Sequence, residues 1–363
     1  MIGAVITGYV TETDWIEEIL GEYDFTQVNE WLDRILPQEG IRIEDVMDGL
    51  FQGEFPMHPM DIVTMAIDSI VREWADRKEL FCVILICGLL TAICRNISGL
   101  YDNKQIMSMG TYLIQALLGS YLMIAFRDIT TIVNTTLGNL TGFLHILLPA
   151  YFVTTGVAVG PGTATGLYEI ELVVMYLIEI LIQLFLIPMV GAAMFLSVMS
   201  GITGNESMKH ILSLQNKLFS YILKVSMALI GGFGVMQGLF APVLDGVSYG
   251  AAQKILAAVP GMGGITDATM QMISGSLLLI KNSIGIAALF LIILICIIPM
   301  GRVLSIVLLM RIGGALIGLI TDAGPVTLLE RTGNCCMQMF RLIAAAFLLN
   351  FMMIAIVASC RIV

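Results

Sequence analysis

The chain has 363 residues, of which 58% are hydrophobic and only 13% charged, with a mean hydropathy of +0.91. A soluble domain carries about 25% charged and about 45–50% apolar residues, so this composition requires a lipid phase. The net charge of −10 is unevenly placed: residues 1–79 hold 18 of the 28 acids and 5 of the 18 bases, leaving that segment at −13 and the remainder at +3. Such a balance argues against a nucleic-acid partner, which needs a basic face.

Met1 to Val10 lacks the basic flank and the length of a typical signal peptide, so it is read as the remnant of a signal or as a start downstream of one. The acidic region then alternates apolar and charged residues at helical spacing: Trp15, Ile16, Ile19 and Leu20, followed by Val28, Trp31, Leu32, Ile35 and Leu36 before Pro37. This pattern predicts two short amphipathic helices. After the turn Phe55-Pro56-Met57-His58-Pro59, a third stripe of Ile62, Val63, Ala66, Ile67, Ile70, Val71 and Trp74 runs towards the membrane. It reads as an interfacial helix with Trp74 at headgroup level.

A membrane span needs about 20 apolar residues. Residues 79–98, 106–126, 171–199, 218–241, 283–300 and 337–359 meet this, and 137–159 and 303–320 are ambiguous, the first through its Thr, Asn and Gly content and the second through Arg311. Arg95 and Lys104 place the first connection in the cytoplasm and the acidic region outside. If 137–159 dips into the membrane and returns, Lys209, His210 and Lys217 are cytoplasmic too; if it crosses, they are outside. The dip is the preferred reading.

Shifting the sequence by 111 residues aligns Leu148-Pro149 with Val259-Pro260, Thr155 with Thr266, and Ile187-Pro188-Met189 with Ile298-Pro299-Met300. The register suggests a duplicated unit in which Pro149, Pro188, Pro260 and Pro299 shape the helices. The Gly/Thr-rich segments 154–166 and 260–269 are where irregular backbone could line a pathway. Gly234/Gly238 and Gly314/Gly318 also have the spacing of plain helix packing. The expected fold is an all-α polytopic membrane protein with six to eight spans, a candidate internal duplication with re-entrant segments, and a small helical extracytoplasmic region. Its divisions are 1–78 (acidic region), 79–136 (first two transmembrane helices), 137–241 (first membrane repeat) and 242–363 (second membrane repeat).

Ionisable groups inside a membrane are costly and so mark candidate sites. Glu179 and Lys224 fall well inside expected spans, where they either pair across helices or serve a transport path; Glu169, Glu171 and Lys281 fall near span ends, where solvation suffices. No residues are expected to be catalytic or to bind a metal or cofactor. The histidines are His58, His145 and His210, without an H-E-x-x-H, and neither G-x-S-x-G nor a P-loop occurs. The seven cysteines sit in or beside apolar runs and read as packing residues, although adjacent Cys335 and Cys336 leave a redox pair open.

The stretch Thr266-Asp267-Ala268-Thr269, followed by Ser276-Leu277-Leu278-Leu279-Ile280-Lys281-Asn282-Ser283-Ile284-Gly285, resembles the most characteristic segment of the stage III sporulation protein AE family. That family has a D-A-T-D-like turn and a V-x-x-S-x-x-L-L-K-N-x-x-G-like run; here Met270 replaces the second acid and Ile280 is inserted before Lys281. The resemblance extends to the acidic region, the order of spans and a late Gly324-Pro325-Val326, and it singles out Asp267, Thr269, Lys281 and Asn282. It implies a multi-pass component of the mother-cell membrane around the forespore. Its partners would be stage III sporulation proteins AA to AH, one resembling a secretion ATPase, and indirectly stage II sporulation protein Q, in a secretion-like channel needed for late forespore development. The alternatives are an autonomous small-molecule permease using the duplicated spans and, more remotely, an intramembrane hydrolase.

Overall fold

A computed structural model describes residues 26–35, 42–51, 59–98, 104–159, 173–174, 176–203, 208–232, 263–321 and 323–359. The described elements are helical: α1 (Thr26–Ile35), α2 (Ile43–Phe51), α3 (Pro59–Asp76), α4 (Lys78–Ser98), α5 (Lys104–Val159), a π turn (Leu181–Leu186) running into α6 (Ile187–Thr203), α7 (residues 208–232), α8 (Gly263–Gly318) and α9 (Ala323–Ser359). Pro59 opens α3 at the position where its missing N–H costs nothing, and Asp61 in the first turn complements the helix dipole.

Four of these helices are long and apolar enough to cross a membrane: Met109–Pro149, Tyr176–Thr203, Asn282–Gly318 and Gly324–Ala355. Of the eight segments read from sequence, four lie pairwise on two long helices, while 79–98, on α4, and 218–241, described only to residue 232, are not among the four membrane-length helices. Residues 106–126 and 137–159 lie on the single 56-residue α5, so 137–159 continues a helix and does not begin a separate dip. Likewise 283–300 and 303–320 fall on or directly after the 56-residue α8. At 1.5 Å per residue each is about 84 Å long, against a hydrocarbon core of about 30 Å. Neither Pro149 nor Pro299 ends its helix. Pro188 is accommodated differently: the preceding turn widens, and the Ile187 N–H bonds to Ile182 O, five residues back. A wider turn gives the ring room from the carbonyls it would otherwise meet.

The long helices assemble around two apolar cores stacked along the bundle. One gathers Leu118, Ile129, Val190, Ile306, Met310 and Leu342 from α5, α6, α8 and α9. The other gathers Phe143, Leu147, Leu291, Ile295 and Met353 with Val28 and Leu32 of α1 and Ile43 and Met47 of α2. The acidic region therefore contributes to the core of the bundle: Trp31 lies 5.5 Å from Phe143 between ring centroids, and Asn29 Oδ1 accepts from the Ile43 N–H while its Nδ2 donates to Glu44, locking α1 to the start of α2.

The helix ends sort by level. Gly88 of α4 faces Ile317 of α8, Gly201 of α6 faces Leu328 of α9, and Gly324 faces Gln115 of α5, all near one end of the bundle. Tyr151, Gly285 and Ala358 meet near the other, where α1 and α2 also pack. Gly314 and Gly318 face Leu329 and Val326, so this glycine pair lies in the α8–α9 contact. Gly234 and Gly238, Pro260 and the segment 160–172 lie outside the described residues.

Candidate functional site

Between the two cores lies an ionic junction that ties three parts of the chain together. Glu73, near the end of α3, is 4% exposed. Its Oε1 accepts from Arg77 Nε at 2.9 Å and its Oε2 from Arg302 Nε at 2.8 Å. Arg77 also donates through Nη1 to Asp128 of α5. Burial lowers the Arg77 pKa, but the hydrogen bonds and charges of Asp128 and Glu73 more than offset this and hold it above its ordinary value. Each carboxylate thus has a guanidinium partner, the condition under which buried charge is tolerated.

The crossing of α3 over α8 fixes the junction. Gly301, next to Arg302, leaves room for Ser69 and the Ala66 carbonyl, and a Cβ there would overlap Ser69 Oγ. Ser305 Oγ donates to the Ile70 carbonyl at 3.0 Å, one turn along α8. Glu73, Arg77, Asp128 and Arg302 were not among the residues marked by sequence. Arg127-Asp128 and Arg302 stand between apolar runs, which reads as a break between spans; once each pair of runs is one helix, the same charges fall in its interior.

A second polar group joins α7 to α9. Gln215 Nε2 donates to Gln338 Oε1 at 3.0 Å, and Gln338 Nε2 donates to both Gln215 and Asn216. Gln338 is buried. Beside it, Arg331 of α9 donates to Ser200 of α6, and Ser197 Oγ lies 3.5 Å from Cys335 Sγ. Cys336 approaches Met310 Sδ at 3.7 Å. The described cysteines are free thiols, four of the six buried, consistent with packing; Cys360 lies outside the described residues.

The sequence-marked residues do not converge. Glu179 accepts from Gln183 Nε2 at 3.2 Å and faces a nook of about 20 Å³ with Thr141 and Asn350, room for about one water molecule. Lys224 lines a different, larger cleft with Lys209, Lys217 and Arg331. No ion pair joins Glu179 to Lys224 among the described residues. Asp267, Thr269 and Lys281 lie on the N-terminal part of α8, with side chains outside the described residues. Asp267 and Lys281, 14 residues apart on one helix, are separated by about 21 Å along its axis. Asn282 is half-buried at the start of the apolar stretch of α8. Pro149 and Pro188 are exposed and Pro299 half-buried. Among the described residues no group of three or more His, Cys, Asp or Glu could hold a metal ion.

Among the described residues, an all-helical bundle with four helices long and apolar enough to cross a membrane defines a polytopic membrane protein. The family model of stage III sporulation protein AE matches residues 41–360, and the chain belongs to that family. It is similar to stage III sporulation protein AE of Bacillus subtilis (strain 168), with 21% identity over 334 residues, covering 91% of this chain and 84% of that protein. No solved structure matches the chain.

Proposed function

We propose that the chain is an integral-membrane subunit of the assembly of stage III sporulation proteins AA to AH, set in the mother-cell membrane around the forespore and acting in a secretion-like channel needed for late forespore development. The observation that carries this reading is the family match over residues 41–360 of a chain whose described residues include four membrane-length helices. The long helices support it: α5 and α8, each of 56 residues, far exceed one bilayer crossing and present surface beyond the hydrocarbon on which other subunits can dock. An ATPase among those partners would supply the energy, and stage II sporulation protein Q would be reached indirectly across the intermembrane space.

In this reading the end of the bundle bearing the α4–α5 connection is cytoplasmic, because Arg95 and Lys104 flank it, and the acidic region docked at the other end is extracytoplasmic. The test is genetic. Deletion of the gene in a spore-forming host should arrest development after engulfment with loss of a late forespore reporter, and the chain expressed only in the mother cell should restore it. Spores formed at normal yield after deletion would refute the assignment. Substrate flux catalysed by the purified chain alone in liposomes would instead support an autonomous permease.

A further inference from the structure

We propose that the cleft between α7 and the N-terminal half of α9 binds the phosphates of anionic phospholipid headgroups. The cleft has a volume of about 630 Å³ and is lined by Lys209, Lys217, Lys224 and Arg331, together with polar groups such as Ser213 and Asn216. The three lysines follow one another at intervals of 8 and 7 residues, which places them along one face of a helix. Arg331 enters from α9 and is held by its bond to Ser200. Among the described residues lining the cleft there is no Asp or Glu, and Lys217, Lys224 and Arg331 face it together with several hydroxyl and amide donors. That is the chemistry of a phosphate site: charge-assisted hydrogen bonds from Lys and Arg, reinforced by neutral donors.

Two observations point to a lipid as the source of the phosphate. The same helix exposes Leu214, Leu218 and Leu229 beside the cationic stripe, with Tyr221 on the cleft wall, so apolar surface for acyl chains adjoins the polar pocket. Basic clefts between helices of membrane proteins suit anionic headgroups for this reason. Lys217 and Lys224 also lie two turns apart, about 10 Å along the helix axis, a spacing that the phosphate oxygens of one phospholipid headgroup or of a diphosphatidyl lipid can bridge. Lys209 lies towards the end of α7 nearest the α6–α7 connection, and Lys224 lies deeper along the same groove.

The experiment uses the full-length chain purified in a mild non-ionic detergent, with retained lipid read by native mass spectrometry after adding phosphatidylglycerol, cardiolipin or phosphatidylcholine. The site predicts retention of the two anionic lipids, with phosphatidylcholine retained at least tenfold less. It also predicts at least a tenfold loss of anionic-lipid retention in Lys217→Gln/Lys224→Gln, and recovery in Lys217→Arg/Lys224→Arg. Unchanged retention in the Gln variant, or equal retention of phosphatidylcholine, would overturn the proposal. Inorganic phosphate displacing the lipid at comparable concentration would assign the cleft to a free anion and overturn the lipid reading. Should the Gln variant fail to fold, salt titration of the wild-type chain decides: retention that does not fall between low and high ionic strength contradicts a charge-based site.

Discussion

The carboxylate of Glu73 lies 2.8 Å from the guanidinium Nε of Arg302, 229 residues further along the chain, and this pair ties the helix leading out of the acidic region to the middle of α8. Because Glu73 is buried and bonded to two arginines, removing it leaves two guanidiniums without their shared anion. Glu73→Ala is expected to cost about 3–5 kcal/mol. Arg302→Ala should cost less, since its side chain is half exposed and can be replaced by water. Thermal unfolding of the detergent-solubilised single and double variants gives the comparison, and additive losses would show that the two residues are not coupled.

Gly301 is required by the close approach of α3. A side chain there would meet Ser69 and the Ala66 carbonyl, the latter 3.1 Å from an added Cβ. Gly301→Val should therefore push α3 off α8 at a cost of about 1–3 kcal/mol. Hydrogen exchange in α3 should accelerate while exchange in α9 stays unchanged. Unaltered α3 protection would mean that the crossing is not a fixed contact.

Leu32 of α1 is 1% exposed within the core formed by α5 and α8. Leu32→Ala should cost about 2–5 kcal/mol if α1 is part of the bundle. A separately folded acidic region predicts a loss confined to α1, with the unfolding of the membrane helices unaffected, and calorimetry of the variant distinguishes the two.

These elements show what was legible in the sequence. The apolar runs and the amphipathic stripe of Val28, Trp31 and Leu32 follow from local pattern and fall on helices where described, whereas the segment around Asp267, read as a turn within irregular backbone, lies from Gly263 onward in the first turns of α8. Whether one apolar run continues into the next is a different matter. Arg127-Asp128 and Arg302 look like breaks until their partners Arg77 and Glu73, far away in sequence, are known to satisfy them. How each proline shapes its helix is equally hidden in the sequence: a π turn precedes Pro188, and Pro299 lies within a continuous helix. The basic cleft was half visible: Lys224 was marked by its depth in a span, whereas Arg331 joins it only through the packing of α9 against α7.

The Asp267 and Lys281 positions carry the family resemblance and lie about 21 Å apart along α8. Asp267→Ala and Lys281→Ala are each expected to lower spore yield with near-normal amounts of membrane-inserted protein. The check is sporulation counted alongside quantitative immunoblotting of the membrane fraction. Yield falling only in proportion to protein level would assign both residues to folding, and normal yield in both would remove them from the functional surface.

The central claim, membership of a multi-subunit sporulation assembly in the membrane, is tested most directly by affinity isolation of the tagged chain from gently solubilised membranes of sporulating cells, with the mass and composition of the isolated particle measured. The account predicts a large particle containing other stage III sporulation proteins, the secretion-type ATPase among them. A tagged chain that replaces the deleted gene with full spore yield, yet is recovered alone or only as copies of itself under conditions that preserve a known membrane complex of the same cells, would contradict it.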